Sequence, residues 1–343
     1  MTIDVRPAQG ADRDPWEAYV AAHPEGTPYH RWAWTGVTRV ALGHEPAYLL
    51  AESEGKIVGV LPLILVGHPL FGRRAVSMPF VSYGGVLADD GDAAWALYEA
   101  ASALASERRV KVLELRNRRA LPRDVPTDDF KVLGLLAVGK DPDAVFARVR
   151  KQTRTSVRKA EKSGVAVESG PDFLDEFYDV YARNLRDLGT PVLGKPFFRA
   201  VRDAFGPDVL FYRATYEGKV VGAKMMFLHG DRRFFAWAAT LREARAVEPA
   251  TLLQWRAIHD ACLAGATEID LGRSNKDSGH ADFKRHFGAE LVPLYWQYGP
   301  AAAGRKPGLH SRNERMGPLI RLWRRMPLGF TNRVGPWLAK GLP

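Results

Sequence analysis

Apolar residues recur at helical spacing from Trp95 to Ser106 and again from Leu252 to Ala264. Each run leads into a short stretch of strand character, Val110 to Leu115 in the first case and Glu268 to Leu271 in the second. Upstream of each helix, two apolar runs are joined by Glu-Gly-Lys, at Glu54-Gly55-Lys56 and at Glu217-Gly218-Lys219. This is a hairpin signal, because glycine accepts the positive φ that tight connections require. The most apolar run, Ile57 to Phe71, is broken by Pro62, His68 and Pro69, so it predicts strands and no membrane-spanning helix.

The two patterns are copies. Residues 26–62 align with residues 189–225 without a gap at an offset of 163, and twelve of the 37 positions are identical. The identities include Gly26-Thr27-Pro28 with Gly189-Thr190-Pro191, Arg39 with Arg202, Gly43 with Gly206, and both Glu-Gly-Lys turns. Further on, Glu114 matches Asp270 at an offset of 156. Each half therefore reads as turn, helix closing at glycine, strand, tight turn, strand, helix, strand.

Composition adds location. Of 343 residues, 46% are hydrophobic and 26% charged, as in a well-folded globular protein. The single cysteine, Cys262, lies among apolar helical residues and reads as a small core side chain, suited to a reducing compartment. The net charge of +10 is unevenly spread: residues 301–343 carry +8 and residues 144–164 carry +6, which leaves a mildly acidic body. Two basic segments on such a body predict a located contact with a polyanion, the competing reading being two solvated helix faces. The expected divisions are residues 1–142, a basic linker helix over 143–164, residues 165–300, and a basic amphipathic tail over 301–343. Met1 to Asp14 is polar and lacks an apolar signal core, so a cytoplasmic location is expected.

A helix and β-meander followed by helix and strand is the order of GNAT-type acyltransferases, and several short motifs sharpen that likeness. They are Leu70-Phe71-Gly72, Pro79-Phe80, Tyr83-Gly84-Gly85, Leu188-Gly189-Thr190-Pro191, Asp270-Leu271-Gly272-Arg273-Ser274 and Phe283-Lys284-Arg285-His286-Phe287-Gly288. On these the chain resembles Fem-type proteins, most closely the FemAB-related group associated with exopolysaccharide and PEP-CTERM sorting systems. The resemblance implies an α+β fold, a tandem duplication of two GNAT-like (acyl-CoA N-acyltransferase-like) domains plus the basic tail. It further implies transfer of an aminoacyl group, from aminoacyl-tRNA as donor, onto an amine of a nucleotide- or lipid-linked cell-wall precursor or a small molecule. The competing readings are an acyl-CoA-dependent transferase acting on a sugar or exopolysaccharide precursor, and a non-catalytic GNAT-like scaffold that binds RNA or membrane.

Aminolysis passes through a tetrahedral oxyanion, which a fixed cation stabilises. Lys284, after Phe283 and a loop over residues 275–279, matches the Fem Phe-Lys pair credited with that task; the alternative is a surface lysine beside a core phenylalanine. Arg273 and Ser274 leave the strand ending at Leu271, where Arg273 either binds a phosphate or carboxylate or pairs with Asp270 or Asp277. Asn275, Phe80, Tyr83 and Arg116 complete the candidate substrate-binding set. Arg150, Arg154 and Arg158 share one helical stripe with Lys151 and Lys159 alongside, a candidate polyanion site because like charges at this spacing repel without a partner.

Acetyl-CoA-binding GNAT domains hold the pyrophosphate on a glycine-bearing loop at a helix start. Here that stretch is residues 242–249, with no glycine and two acids, and in the first half Tyr83-Gly84-Gly85 is followed by Asp89, Asp90 and Asp92. No cofactor is therefore expected, and the nine histidines show no metal-ligand spacing. Ala250 and Ala281 stand where the family often has Asn and an aromatic residue, which leaves the acceptor open. In the tail, Leu319, Leu322, Trp323, Met326, Leu328 and Phe330 alternate with Arg321, Arg324, Arg325 and Arg333. Residues 319–342 either touch the inner face of an anionic membrane peripherally or pack their apolar face onto the protein.

Overall fold

The computed structural model describes residues 2–299 and 317–342, so the expected tail before Gly317 lies outside the described residues. The chain forms two compact units. The first comprises Met1–Lys131, Pro293–Arg315 and Trp337–Pro343; the second comprises Val132–Val292 and Met316–Pro336. These limits differ from the expected boundaries at residues 142 and 300. The basic segment over 143–164 folds into the second unit because Val145, Val149, Val157 and Ala160 are buried in that unit's core.

In the first unit, strands β1 (Leu49–Ser53) and β2 (Lys56–Leu61) form the first predicted hairpin. Glu54 and Gly55 turn the chain with φ of 51° and 75°. Strand β3 (Leu63–His68) begins just past Pro62, which cannot donate to a ladder, and pairs with β4 (Gly72–Ser77). Helix α1 (Gly91–Glu107) is capped by Asp90, whose carboxylate accepts from the Ala93 N–H, and buries Leu97 and Ala101 against Leu113 and Leu115 of β5 (Val112–Asn117). A long strand, β6 (Thr127–Ala137), then leads into the second unit.

The second unit opens with helices α2 (Pro142–Arg148), α3 (Lys151–Lys162) and α4 (Leu174–Leu188). Its hairpin joins β7 (Val209–Tyr216) to β8 (Lys219–His229) through Glu217 and Gly218, with φ of 48° and 72°. The bulge between Ala214 and Thr215 falls at the repeat position of the bulge between Ala51 and Glu52. A second bulge, between Met225 and Met226, stands where the first copy has Pro62, so β8 continues unbroken where its counterpart divides. Strand β9 (Arg232–Thr240) follows, then helix α5 (Pro249–Leu263), which is buried through Leu252, Leu253, Ala257, Ile258 and Ala261. Strand β10 (Glu268–Asn275) and the short helix α6 (Gly279–His286) close the second copy. The last strand, β11 (Glu290–Tyr298), ends in the first unit, where Tyr295–Tyr298 pair with β5.

Two tail helices complete the described chain, α7 (Gly317–Arg325) and α8 (Leu328–Ala339). The tail does not lie wholly free. A side chain at Gly189 would meet Ile320, Arg324 donates to the Leu188 carbonyl, and Arg186 donates to that of Met326, which ties α7 to α4. Its other side leaves Leu319, Leu322 and Phe330 exposed. No helix among the described residues is long and apolar enough to cross a membrane.

Candidate active site

Both units contain a parallel strand pair that parts after three residues. In the first unit β4 and β5 pair at Arg74 with Val112, Ala75 with Leu113 and Val76 with Glu114. In the second, β9 and β10 pair at Arg232 with Glu268, Arg233 with Ile269 and Phe234 with Asp270. The matched acids Glu114 and Asp270 thus mark the apex of two equivalent wedges.

The first wedge is filled by protein. The Arg116 N–H donates to Ser77 Oγ at 2.8 Å, the Gly84 N–H to the Arg116 carbonyl at 3.3 Å, and the Val86 N–H to Asn117 Oδ1 at 2.9 Å. Asn117 Nδ2 in turn donates to Gln297 Oε1 at 2.9 Å. The Tyr83–Val86 segment that the sequence presents as a poor phosphate cradle is therefore a plug, and a side chain at Gly85 would strike Asn117 Oδ1. Tyr83 is buried edge-on to Tyr29, and Phe80 holds φ +73° with its ring stacked on His44. Arg116 is completely buried, its Nε donating to Glu114 at 2.8 Å and its guanidinium 4.4 Å from the Trp296 ring centroid. Its two terminal nitrogens have no hydrogen-bond partner.

The second wedge is lined by charge. Lys284, on α6, is 8% exposed, and its Nζ donates to the Gly272 carbonyl. Room for its stem comes from Gly134 on β6, where a Cβ would lie 2.8 Å from Lys284 Cδ. Gly272 adopts φ +78°, and its N–H donates to Asp270 Oδ1 at 2.6 Å, which fixes the carboxylate at the apex. Burial, with Arg273 adding to it, pulls the Lys284 ammonium down to about 8 while Asp270 opposes the shift. Ser274 is buried with its Oγ unpartnered, and Asn275 accepts a bond from Ser278 Oγ through its carbonyl. Phe283 packs edge-on to Phe287 beside the core.

Sequence reasoning misses Lys224. It lies in the middle of β8, 2% exposed, donates to Gln254 Oε1 of α5 at 2.5 Å, and sits 3.9 Å from the Phe235 ring centroid. Burial, and after it repulsion from Lys284, holds Lys224 well below the usual lysine range. Taking an ammonium out of water costs several kcal/mol unless it is well paired. The available signal is a lone lysine inside the apolar run Val220–Phe227.

The basic stripe is partly consumed by structure. Arg154 donates to the carbonyls of Ala147 and Val149 at the end of α2, Arg150 bonds His286 Nε2 at 2.7 Å, and Arg158 stands 5.7 Å from the Phe146 ring centroid. Lys151 and Lys159 are exposed alongside. At the start of α5, where an acyl-CoA enzyme would carry its glycine loop, stand a 3₁₀ turn over Arg242–Val247 and then Glu248, which bonds Thr251.

Residues 147–285 match the acetyltransferase (GNAT) domain family. No curated protein sequence matches the chain. Among solved structures, FemX is 15% identical with a TM-score of 0.63, over 85% of this chain and 96% of that one. A tandem GNAT protein from the clavulanic acid biosynthesis pathway gives 16% identity and a TM-score of 0.56, over 87% and 98%. A C-terminal domain assigned to a lysylphosphatidylglycerol synthetase of Agrobacterium fabrum gives 14% and 0.55, over 85% and 92%. The fold is thus a tandem GNAT fold, and its second copy is a GNAT acyltransferase domain.

Proposed function

We propose that this GNAT-type acyltransferase moves an aminoacyl group from aminoacyl-tRNA onto an amine of a cell-wall or lipid-linked precursor or a small molecule. The observation that carries the reading is the Lys284 ammonium, buried at the wedge and steadied by the Gly272 carbonyl. A cation held there meets the oxyanion of aminolysis with little reorganisation. FemX and the lysylphosphatidylglycerol synthetase domain, which share the fold, are consistent with aminoacyl chemistry.

The start of α5 supports this choice of donor over acyl-CoA. With Glu248 at its N-cap and no glycine before it, that helix offers an acid where a pyrophosphate would need free N–H groups. Acetyl-CoA should accordingly bind no tighter than about millimolar in calorimetry, and charged tRNA should bind with steep salt dependence. Micromolar acetyl-CoA binding would replace this reading with the acyl-CoA-dependent one.

Substrate contacts in the second unit belong to Arg273, Ser274 and Asn275, whereas in the first unit Tyr83 and Arg116 are buried in the filled wedge and Phe80 is stacked on His44 beside it, so these three are not proposed as contacts. The buried Ser274 hydroxyl, which has no hydrogen-bond partner, favours a hydrogen-bonding group there. Lys151, Lys159, Arg150, Arg154 and Arg158 are the proposed phosphate-facing group, all exposed except the half-buried Arg154. Exposed Leu319, Leu322 and Phe330 beside Arg321, Arg325 and Arg333 support a peripheral contact with an anionic bilayer. Flotation with phosphatidylglycerol vesicles, absent with phosphatidylcholine and weakened by Leu322→Asp, is the expected result.

A further inference from the structure

Lys224 is the buried titratable group for which oxyanion stabilisation by Lys284 leaves no task. Its repeat counterpart is Leu61, which is fully buried, so the strand position itself needs no polar side chain. Among the described residues no carboxylate is paired with Lys224; its nitrogen has the Gln254 amide oxygen and the Phe235 ring. Phe235 is the first residue of β9 beyond the last paired position, Phe234 with Asp270. The Lys224 nitrogen therefore lies at the apex of the wedge, within the field of Lys284.

We propose that Lys224 is the general base of acyl transfer, taking the proton from the attacking nitrogen of the acceptor amine. The inference rests on the reading of Lys284 as the oxyanion cation. The two lysines then divide the work: Lys284 stays charged near Asp270, while Lys224, in an apolar setting and repelled by Lys284, offers a lone pair. The neutral acceptor amine attacks the carbonyl carbon, the C–N bond forms, and the carbonyl π pair moves onto the oxygen facing Lys284. Lys224 Nζ takes one N–H proton from the adduct. The oxygen pair then returns, the bond from the carbonyl carbon to the leaving ribose oxygen breaks, and that oxygen receives the proton from Lys224. The base is restored and no further reactant is needed.

The elements around Lys224 bring other ionisable groups to this region: Tyr212 opposite it on β7, Tyr181 on α4, Asp260 on α5, Asp270 and Arg273 on β10, and Lys284 on α6. The test uses the whole chain and acetic anhydride as probe, with labelling of each lysine followed by mass spectrometry from pH 6 to 10. Lys224 should label with a midpoint well below those of Lys151 and Lys159, and the midpoint should rise in Lys284→Met. Labelling of Lys224 together with the surface lysines overturns the proposal, as does no labelling at any pH, since a base must be reachable. In turnover of charged tRNA, Lys224→Met should lower kcat about 10²-fold with donor KM unchanged, and Lys224→Arg should not restore it. Full kcat in Lys224→Met also overturns it. Failure of charged tRNA as donor would leave the labelling result standing, so the two readings fail separately.

Discussion

The two wedges have the same strand pairing and opposite contents. In the first, Ser77, Gly84, Val86 and Asn117 hydrogen-bond across the gap and Glu114 is spent on Arg116. In the second, two buried lysines approach the apex and Asp270 is spent on the Gly272 N–H. Duplication supplied two copies of one architecture. A copy whose buried cation is paired with a carboxylate contributes rigidity, whereas buried cations without a bonded carboxylate are costly and point to chemistry.

The sharpest way to break this contrast is Lys284→Met. Turnover should fall about 10²-fold or more, roughly 3 kcal/mol of transition-state stabilisation, with donor and acceptor affinity nearly unchanged. Undiminished kcat at saturating substrates would make the second wedge no more catalytic than the first. The same variant should be more resistant to urea at neutral pH. Lys284 drops from an ordinary 10.5 to about 8 on folding, a cost of up to about 3 kcal/mol that is fully present below pH 8. Between those values the unfolded chain binds more protons, so wild-type stability should rise with pH and the advantage of Lys284→Met should shrink toward pH 10.5.

Asn117→Ala tests the other wedge. It strands the Val86 N–H and removes one of the two bonds to Gln297 Oε1, which keeps that from the Leu121 N–H, and should lower unfolding free energy by about 1 to 3 kcal/mol in urea titrations while kcat of the folded enzyme holds. A selective loss of kcat would mean that the plug takes part in catalysis. A smaller effect concerns the stripe: Arg158→Ala should weaken tRNA binding several-fold and reduce its salt slope by about 1. The smallest is a symmetry control, since Gly55→Ala and Gly218→Ala each force alanine into positive φ and should cost about 1 kcal/mol alike. Unequal losses would mean that the two hairpins are not energetic equivalents.

The repeat made the hairpins legible because turn chemistry is local: Glu-Gly-Lys needs no knowledge of the rest of the chain. Lys284 was legible through its motif, but its room at Gly134 was not, since β6 and α6 are distant in sequence. Lys224 was opaque for the same reason. A lysine in an apolar strand reads as an interruption until Gln254, thirty residues on, turns out to accept its bond. Charge clustering over residues 144–164 suggests a linker, yet Thr153, Val157 and Ala160, buried at the 3–4 residue spacing of α3, together with buried Val145 and Val149, decide that the segment belongs to a core. The spacing that puts Arg154 on the stripe is blind to the carbonyls of Ala147 and Val149 that it satisfies.

The return of Tyr295–Tyr298 to pair beside β5, and of Trp337 and Lys340 to bond His68 and His44, has a consequence for synthesis of the chain. When Asn117 leaves the ribosome, β5 lacks its neighbour and Arg116 lacks the Trp296 ring, and both arrive only about 10 to 40 s of translation later. The nascent first unit must spend that interval with an open sheet edge, a template for wrong pairings. Chaperone occupancy on translating ribosomes should therefore persist until the end of β11 emerges, although the N-terminal half was made first.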